Sequence, residues 1–278
     1  MPELPEVQTV VDDLIAAGIV GATITGARVY WARSIDVLTP RSFCRRMIGR
    51  RIGGIRRRGK FIVFDFDGGG HLLVHLRMTG QLQMLTAAAE RLKHQHVILD
   101  LERGRQLRFH DTRKFGRLYL VADDRSVLDK LGPEPLAPSF TARRLAYILR
   151  KRRRLLKPLL LDQTFIAGLG NIYVDEALWD ARIHPARIAS DLNLQEVRRL
   201  HRAIRRVLRR GLKNLGTTLG PGRTHFYSVG RRPGRNMDQL KVFRRNGDPC
   251  PRCRTAIRRL MLGQRSTHVC PHCQPEEG

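Results

Sequence analysis

Two groups of residues at opposite ends of the chain could do chemistry: Met1-Pro2-Glu3-Leu4-Pro5-Glu6 at the start, and Cys250, Cys253, Cys270 and Cys273 near the finish. Removal of Met1 would expose Pro2 as a secondary amine. An α-amino group titrates near ~8 rather than the ~10.4 of a lysine, so a sizeable fraction is neutral and nucleophilic at physiological pH. The positive end of a helix starting at that nitrogen would favour the neutral amine further. Amine attack on a sugar C1′ gives an iminium, and proline has no second N–H to lose, so the cation persists and acidifies the neighbouring C2′ proton. Glu3 stands beside the amine to pass protons, and Glu6, three residues on, falls roughly on the same helix face. In isolation these residues are equally ordinary helix-start chemistry, a proline in the first turn with acids near the N-terminus.

The cysteines read C-x2-C, sixteen intervening residues, C-x2-C. That spacing suits four thiolates placed tetrahedrally around one zinc ion, and four cysteine ligands leave no open position for water, so the zinc would be structural. Arg258, Arg259 and Gly263-Gln264-Arg265-Ser266-Thr267 lie between the pairs. They would sit on a ribbon and its turn, offering donors to a phosphate or a groove. His268 and His272 are expected to be solvated, and Cys44 to be a small buried thiol.

The 278-residue chain carries 52 Lys+Arg against 25 Asp+Glu, a formal net charge of +27. Such an excess calls for a polyanionic partner, nucleic acid first. The apolar content, 42%, suffices for real cores, which excludes a disordered basic tail, and the length fits one large domain or two to three ordinary ones. No start resembling a secretory signal and no long apolar run are visible. The chain therefore reads as soluble and cytoplasmic, with no membrane association, and its cysteines as metal ligands rather than disulfides.

These residues must be positioned by folded elements. Val7, Val10, Val11, Leu14 and Ile15 recur at helical spacing, with Gly18 and Gly21 closing a helix over Pro5 to Ile19. From 22 to 120 the period changes to short β-rich runs: Ala22 to Tyr30, Gly54 to Phe66, His71 to Leu76, His96 to Leu101, Gln106 to Phe109 and Gly116 to Val121. Gly132-Pro133-Glu134-Pro135-Leu136-Ala137-Pro138 reads as a linker. Thr141 to Arg154, Pro158 to Ile166, Ile172 to Ala181 and Leu194 to Leu212 look helical, and 216 to 235, rich in Gly, Pro and Arg, looks like a mobile loop. The expected class is multidomain α+β. Its divisions are a sheet-based domain over 1–131, a linker over 132–140, a helical domain over 141–235, and a zinc finger over 236–278.

Several segments, in order over nearly the whole chain, resemble the formamidopyrimidine-DNA glycosylase and endonuclease VIII family, and within it the formamidopyrimidine branch. They are Met1 to Val7, Arg57-Arg58-Gly59-Lys60-Phe61, His75-Leu76-Arg77-Met78-Thr79-Gly80, Asp111-Thr112-Arg113-Lys114-Phe115-Gly116, Leu169-Gly170-Asn171-Ile172-Tyr173, and the cysteine hairpin with Gln264 to Thr267. Leu4 favours this branch, because the endonuclease VIII branch usually has glycine there. The resemblance implies an N-terminal helix with a β-sandwich, a helix-two-turn-helix domain with a lesion-capping loop, and a C-terminal zinc-ribbon β-hairpin. It implies a monomeric bifunctional glycosylase and AP lyase of base excision repair, acting on double-stranded DNA with oxidised purines (8-oxoguanine, formamidopyrimidines) or abasic sites. No redox or nucleotide cofactor is needed.

Carried over residue by residue, the resemblance makes Pro2 the Schiff-base nucleophile, Glu3 the general acid/base, Lys60 the aid to β-elimination and Arg265 the partner of the δ-elimination phosphate. Met78, Arg113 and Phe115 match the trio that fills the gap left by the extruded base. Without the resemblance, Met78 and Phe115 would pass for sheet core and Arg113 for a surface charge. His94, Arg153, Lys157 and Asn171 match phosphate-contacting positions, with the register inside Arg150 to Arg154 open by one residue. Asn171 also suits a plain helix start after a glycine turn.

Two departures stand out. Arg77 occupies a place where glycine is usual, and Gly216 to Arg223 is richer in Gly and Pro than the usual capping loop, which leaves the preference among oxidised purines open. The rival activities are an endonuclease VIII-like glycosylase for oxidised pyrimidines and a non-catalytic damage-recognition protein. The latter would keep charge and ribbon without Pro2, Glu3 or Lys60, all of which are present.

Overall fold

The computed structural model describes residues 1–220 and 226–276. By compactness the chain forms two units, Met1–Asp129 with Asn214–Arg235, and Lys130–Lys213 with Asn236–Gly278. Among the described residues no helix is long and apolar enough to cross a membrane.

The first unit opens with α1 (Leu4–Ala16), started by a capping box: Glu3 N–H donates to Glu6 Oε2 at 2.8 Å, and the Glu3 carboxylate accepts from the Glu6 backbone. Pro5 in the first turn needs no amide partner. Leu4, Val7, Val10, Val11 and Leu14 are buried. There follow β1 (Ile24–Val29), β2 (Ile35–Asp36), α2 (Pro40–Met47), β3 (Ile52–Arg58), β4 (Phe61–Phe66), β5 (His71–His75), β6 (Gly80–Thr86), β7 (Gln95–Leu101), β8 (Arg105–Asp111), β9 (Arg117–Val121) and the one-turn α3 (Arg125–Leu128). They build a five-stranded sheet in the order β2-β9-β5-β4-β3 and a four-stranded sheet in the order β1-β7-β8-β6. One continuous core joins Leu72, Val74 and Leu118 of the first sheet to Val97, Leu107 and Phe109 of the second, and takes in α1. This is the β-sandwich with its N-terminal helix.

Every β-rich run seen in the sequence contains a strand. The run from Gly54 to Phe66 holds two, joined at a tight turn where Arg58 pairs with Phe61 and Gly59 takes φ 56°. Unanticipated were the short β2 and α3, and also β6 and α2. The latter begins at a Thr39 cap, whose Oγ1 accepts from Ser42 N, and buries only Phe43 and Met47, too little to show as a period. Cys44 on α2 is half-buried against the core, and burial raises its thiol pKa. Residues 214–220 and 226–235, assigned from sequence to the helical domain, pack here instead: Thr217 N–H donates to Glu6 Oε1 at 2.7 Å and Arg232 pairs with Asp13. Part of the expected mobile, Gly/Pro-rich loop, residues 221–225, lies outside the described residues.

The second unit contains α4 (Ala142–Arg150), α5 (Leu156–Leu161), α6 (Asn171–Ala181), α7 (Leu194–Lys213), β10 (Arg258–Leu262) and β11 (Arg265–Val269). Helices α6 and α7 run antiparallel, with Gly211 so close to Tyr173 that a Cβ there would stand 2.5 Å from its hydroxyl. The proline-rich segment turns against the same unit, Gly132 N–H donating to Gln163 O at 2.9 Å. Strands β10 and β11 form a hairpin in which Leu262 pairs with Arg265. Its two turn residues, Gly263 and Gln264, both have positive φ (53° and 60°), as a tight primed turn requires.

Candidate active site and nucleic-acid interface

In the first unit, Pro2 and Glu3 are buried at the head of α1, and α1 packs against β3 and β4. The turn between those strands carries Lys60, which is only 4% exposed. Gln8 Oε1 on α1 accepts from Arg57 Nε at 3.1 Å, and Arg57 in turn donates to Gly59 O at 3.0 Å, so the helix fixes the turn. His75 pairs with Phe61 across the sheet. Burial first, then the charges of Arg77 and Lys60, hold the His75 imidazole down to about 3. The ring is therefore neutral, and its Nδ1 accepts from Arg77 N–H at 3.0 Å. A lysine and a glutamate buried in one unit of so basic a chain are costly unless they serve a purpose.

Met78, Arg113 and Phe115 stand out from the sandwich. Met78 is 38% and Phe115 47% exposed, and the Arg113 guanidinium lies 5.0 Å from the Phe115 ring centre. Core packing, the bland reading of the two apolar residues, is thereby excluded. Two turns present the trio, 76–80 and 111–116, and wholly buried Asp111 ties them together. Its Oδ1 accepts from Thr79 Oγ1 and from Arg113 N, its Oδ2 from Gly116 N at 2.7 Å, and its carbonyl meets His96 Nε2 at 2.8 Å. Gly80 closes the first turn by donating to Leu76 O, and any Cβ there would stand 2.5 Å from that oxygen. Arg77 takes φ 53° and Lys114 φ 61°, which explains why glycine suits position 77 and marks both turns as strained. His94, also left-handed at φ 71°, packs its ring between His96 and His110 at 6.1 Å from each. The loop before it is braced by buried Arg108, which donates to Glu90 O at 2.9 Å and to Ala89 O at 2.5 Å. Sequence reasoning passed over Asp111, Thr79, His96 and Arg108; the first two lay inside matched segments, but nothing in them announced a shared hydrogen-bond node.

In the second unit, Asn171 opens α6 after Gly170 and donates through Nδ2 to Ser266 O at 2.9 Å, while its Oδ1 is buried with no partner. Arg153 and Arg265 are exposed. Lys157, expected on a phosphate, is instead fully buried: its ammonium reaches Asp175 Oδ1 at 2.6 Å, Ser266 O at 2.8 Å and Thr267 Oγ1 at 2.8 Å. The other Asp175 oxygen accepts from His268 N and meets His268 Nδ1, both at 3.0 Å. His268 is thus not solvated but 5% exposed. Together these groups rivet the β10–β11 ribbon to α5 and α6, and so hold Arg265 and the ribbon turn. Only the tertiary fold brings positions 157, 175 and 268 together.

The four cysteine sulfurs lie within 4.8 Å of one another, with separations of 3.3 Å (Cys253–Cys270), 3.5 Å (Cys253–Cys273) and 4.0 Å (Cys250–Cys273). Tetrahedral zinc at about 2.3 Å from each sulfur needs edges of roughly 3.8 Å. A hydrogen bond from Thr255 lowers Cys253 to about 6, whereas burial pushes Cys270 up to about 12. The clustered sulfurs lie close to the tetrahedral spacing, and four cysteine donors fit structural zinc. Trp179 Nε1 donates to Cys250 Sγ at 3.4 Å, tying the cluster to α6.

A sandwich with an exposed trio and a buried acid and lysine, a glycine-led helix and a zinc ribbon define a DNA-repair glycosylase scaffold. The Formamidopyrimidine-DNA glycosylase N-terminal domain profile matches residues 1–118, the Formamidopyrimidine-DNA glycosylase H2TH domain residues 131–220, and the zinc finger found in FPG and IleRS residues 247–275. The chain is similar to the formamidopyrimidine-DNA glycosylase of Protochlamydia amoebophila, 48% identical over 99% of both chains, and to that of Roseiflexus sp., 50% identical over 99% of this chain and 100% of the other. Its fold matches that of a Lactococcus lactis FPG mutant crystallised with a Fapy-dG containing DNA, with a TM-score of 0.91, 35% identity, and 99% and 100% of the two chains covered. MutM in complex with carbocyclic 8-oxo-G containing DNA matches at a TM-score of 0.90 and 36% identity over the same shares. The chain belongs to the formamidopyrimidine-DNA glycosylase family. It is a base-excision-repair enzyme of the glycosylase and AP-lyase class.

Proposed function

We propose that this enzyme excises oxidised purines, 8-oxoguanine and formamidopyrimidines, from duplex DNA and then cleaves the strand on both sides of the abasic sugar. With Met1 removed, the Pro2 amine attacks C1′ and the damaged base departs with its bonding electrons, Glu3 serving as the general acid/base. The iminium acidifies C2′–H; loss of that proton expels the 3′ phosphate by β-elimination, with Lys60 next to the reacting sugar as a point charge. A second elimination expels the 5′ phosphate, whose charge Arg265 meets as a bidentate fork. Met78 and Phe115 wedge into the vacated stack while Arg113 hydrogen-bonds the widowed cytosine. His94, Arg153 and Asn171 hold phosphates. In this reading residues 1–131 carry catalysis, 132–140 link, 141–213 grip DNA, the segment after 213 caps the lesion, and 236–278 form the finger; the enzyme acts as a cytoplasmic monomer.

The observation that carries the reading is the solvent-exposed trio, held by buried Asp111 in the unit that buries Glu3 and Lys60. The lesions named for the Lactococcus lactis protein and for MutM support the substrate class. Borohydride trapping on a panel of duplexes tests it. Untagged enzyme should cross-link to 8-oxoguanine opposite cytosine, to formamidopyrimidine and to abasic DNA, while Pro2→Gly or a retained Met1 should lower the yield by about 100-fold and leave binding intact. Stronger trapping on 5-hydroxyuracil than on 8-oxoguanine would move the activity to oxidised pyrimidines, which have been crystallised with the Lactococcus lactis protein.

A further inference from the structure

Helix α7 carries a second basic surface, for which the proposed lesion site has no use. Its buried side is formed by residues such as Leu200, Ala203, Val207 and Gly211. At roughly 100° per residue, Arg198, Arg202, Arg206, Arg209 and Lys213 fall within a sector of about 80° on the opposite side, a stripe about 22 Å long. All five are exposed. His201 and Arg205 flank it in a shallow groove of about 390 Å³, and Arg143 and Arg150 of α4 continue the positive charge along the next groove, beside Arg198. Among the described residues, one carboxylate pairs with the stripe, Asp180 with Arg206 at 3.4 Å.

The buried side of α7 rests on α6, through Gly211 against Tyr173 and Arg210 paired with Glu176. Asn171 and Asp175, which hold the ribbon, lie on a different side of α6 from Tyr173, Glu176 and Asp180, which face α7. The stripe therefore points away from the ribbon and Asn171. Within it, like charges stand three and four residues apart, an arrangement that destabilises a helix. Apart from the Arg206–Asp180 pair, no ion pair among the described residues offsets this.

We infer that the α7 stripe binds the phosphate backbone of a second segment of duplex DNA while the lesion site is occupied. The chemistry is a straight, nearly acid-free line of four guanidinium groups and an ammonium matched to a rigid polyanion, which offers about thirteen phosphate charges over the same length. The α7 stripe carries no aromatic side chain on which single-stranded bases could stack, and the groove beside α4 offers a single exposed ring, Tyr147. A second duplex would keep the enzyme on DNA after each turnover and allow transfer between segments. The inference rests on the proposed lesion site only for the word second.

The test blocks the lesion site with a saturating short duplex containing an abasic-site analogue, then titrates a fluorescent undamaged duplex and reads anisotropy at low salt. The native protein should form a ternary complex. R198Q/R202Q/R206Q/R209Q should weaken the second duplex at least about tenfold and reduce its log–log salt slope by about 3 to 4, with borohydride trapping on the short lesion duplex unchanged. The corresponding four-lysine variant should retain most of the second binding, which separates charge from folding. Failure of the blocked native protein to bind a second duplex, or undiminished binding by the glutamine variant, overturns the inference. Equal or tighter binding of single-stranded RNA of the same length overturns the assignment to duplex. Intact second binding without any trapping would sink the lesion-site reading alone.

Discussion

His75 shows how a single residue reports on the site around it. Its folded pKa of about 3 lies below the ~6.5 of an unfolded histidine. Below about 6.5 the unfolded chain takes up a proton that the folded protein refuses. Stability is thus unaffected above about 6.5 and is lost as pH falls toward 3, by at most about 1.4 kcal/mol per pH unit. His75→Gln should flatten the dependence of urea-unfolding free energy on pH between about 6 and 4; an unchanged slope would mean that the imidazole is not excluded from protonation. The depression arises first from burial of the ring and then from the charges of Arg77 and Lys60. Asp111 plays the complementary part, one buried carboxylate that orders both turns carrying Met78, Arg113 and Phe115.

At the scale of elements, the ribbon hairpin is held by charge as well as by zinc. Removing the Lys157 ammonium would leave Asp175 buried with only His268 to compensate it. Lys157→Met should cost about 3–5 kcal/mol in urea unfolding, and Lys157→Met with Asp175→Leu should recover much of that, because a buried pair replaced whole is far less harmful than one that is broken. Equal losses in the single and double variants would show that the pair does not act as a unit. Glu176 does the same for the segment entering the finger: its carboxylate accepts from the backbone amides of Lys241, Val242 and Phe243, and burial raises its pKa. Zinc supplies the other anchor. Chelation should alter the fluorescence of Trp179, which touches Cys250, and lower duplex affinity about tenfold; unchanged binding after verified zinc loss would separate the finger from DNA engagement.

Across the whole molecule, the formal charge of +27 makes DNA affinity steeply salt-dependent, with each phosphate neutralised contributing about −0.9 to the log–log slope. The sequence by itself displayed a proline and glutamate at a helix head, a glycine turn before a helix and four cysteines at metal spacing, whereas Lys60 stood out only through the family resemblance. Such features are local, set by turn chemistry, periodicity and ligand count, and they survive in a linear reading. The division of labour among the remaining polar residues was decided only by the tertiary structure. Lys157 and Arg265 look alike as letters, yet one is sealed against Asp175 and the other is exposed; Met78 and Phe115 could have been core and are not. Burial and long-range pairing fix those outcomes, because the cost or gain of a charge or an apolar side chain depends on what surrounds it, and those surroundings come from residues distant in the chain.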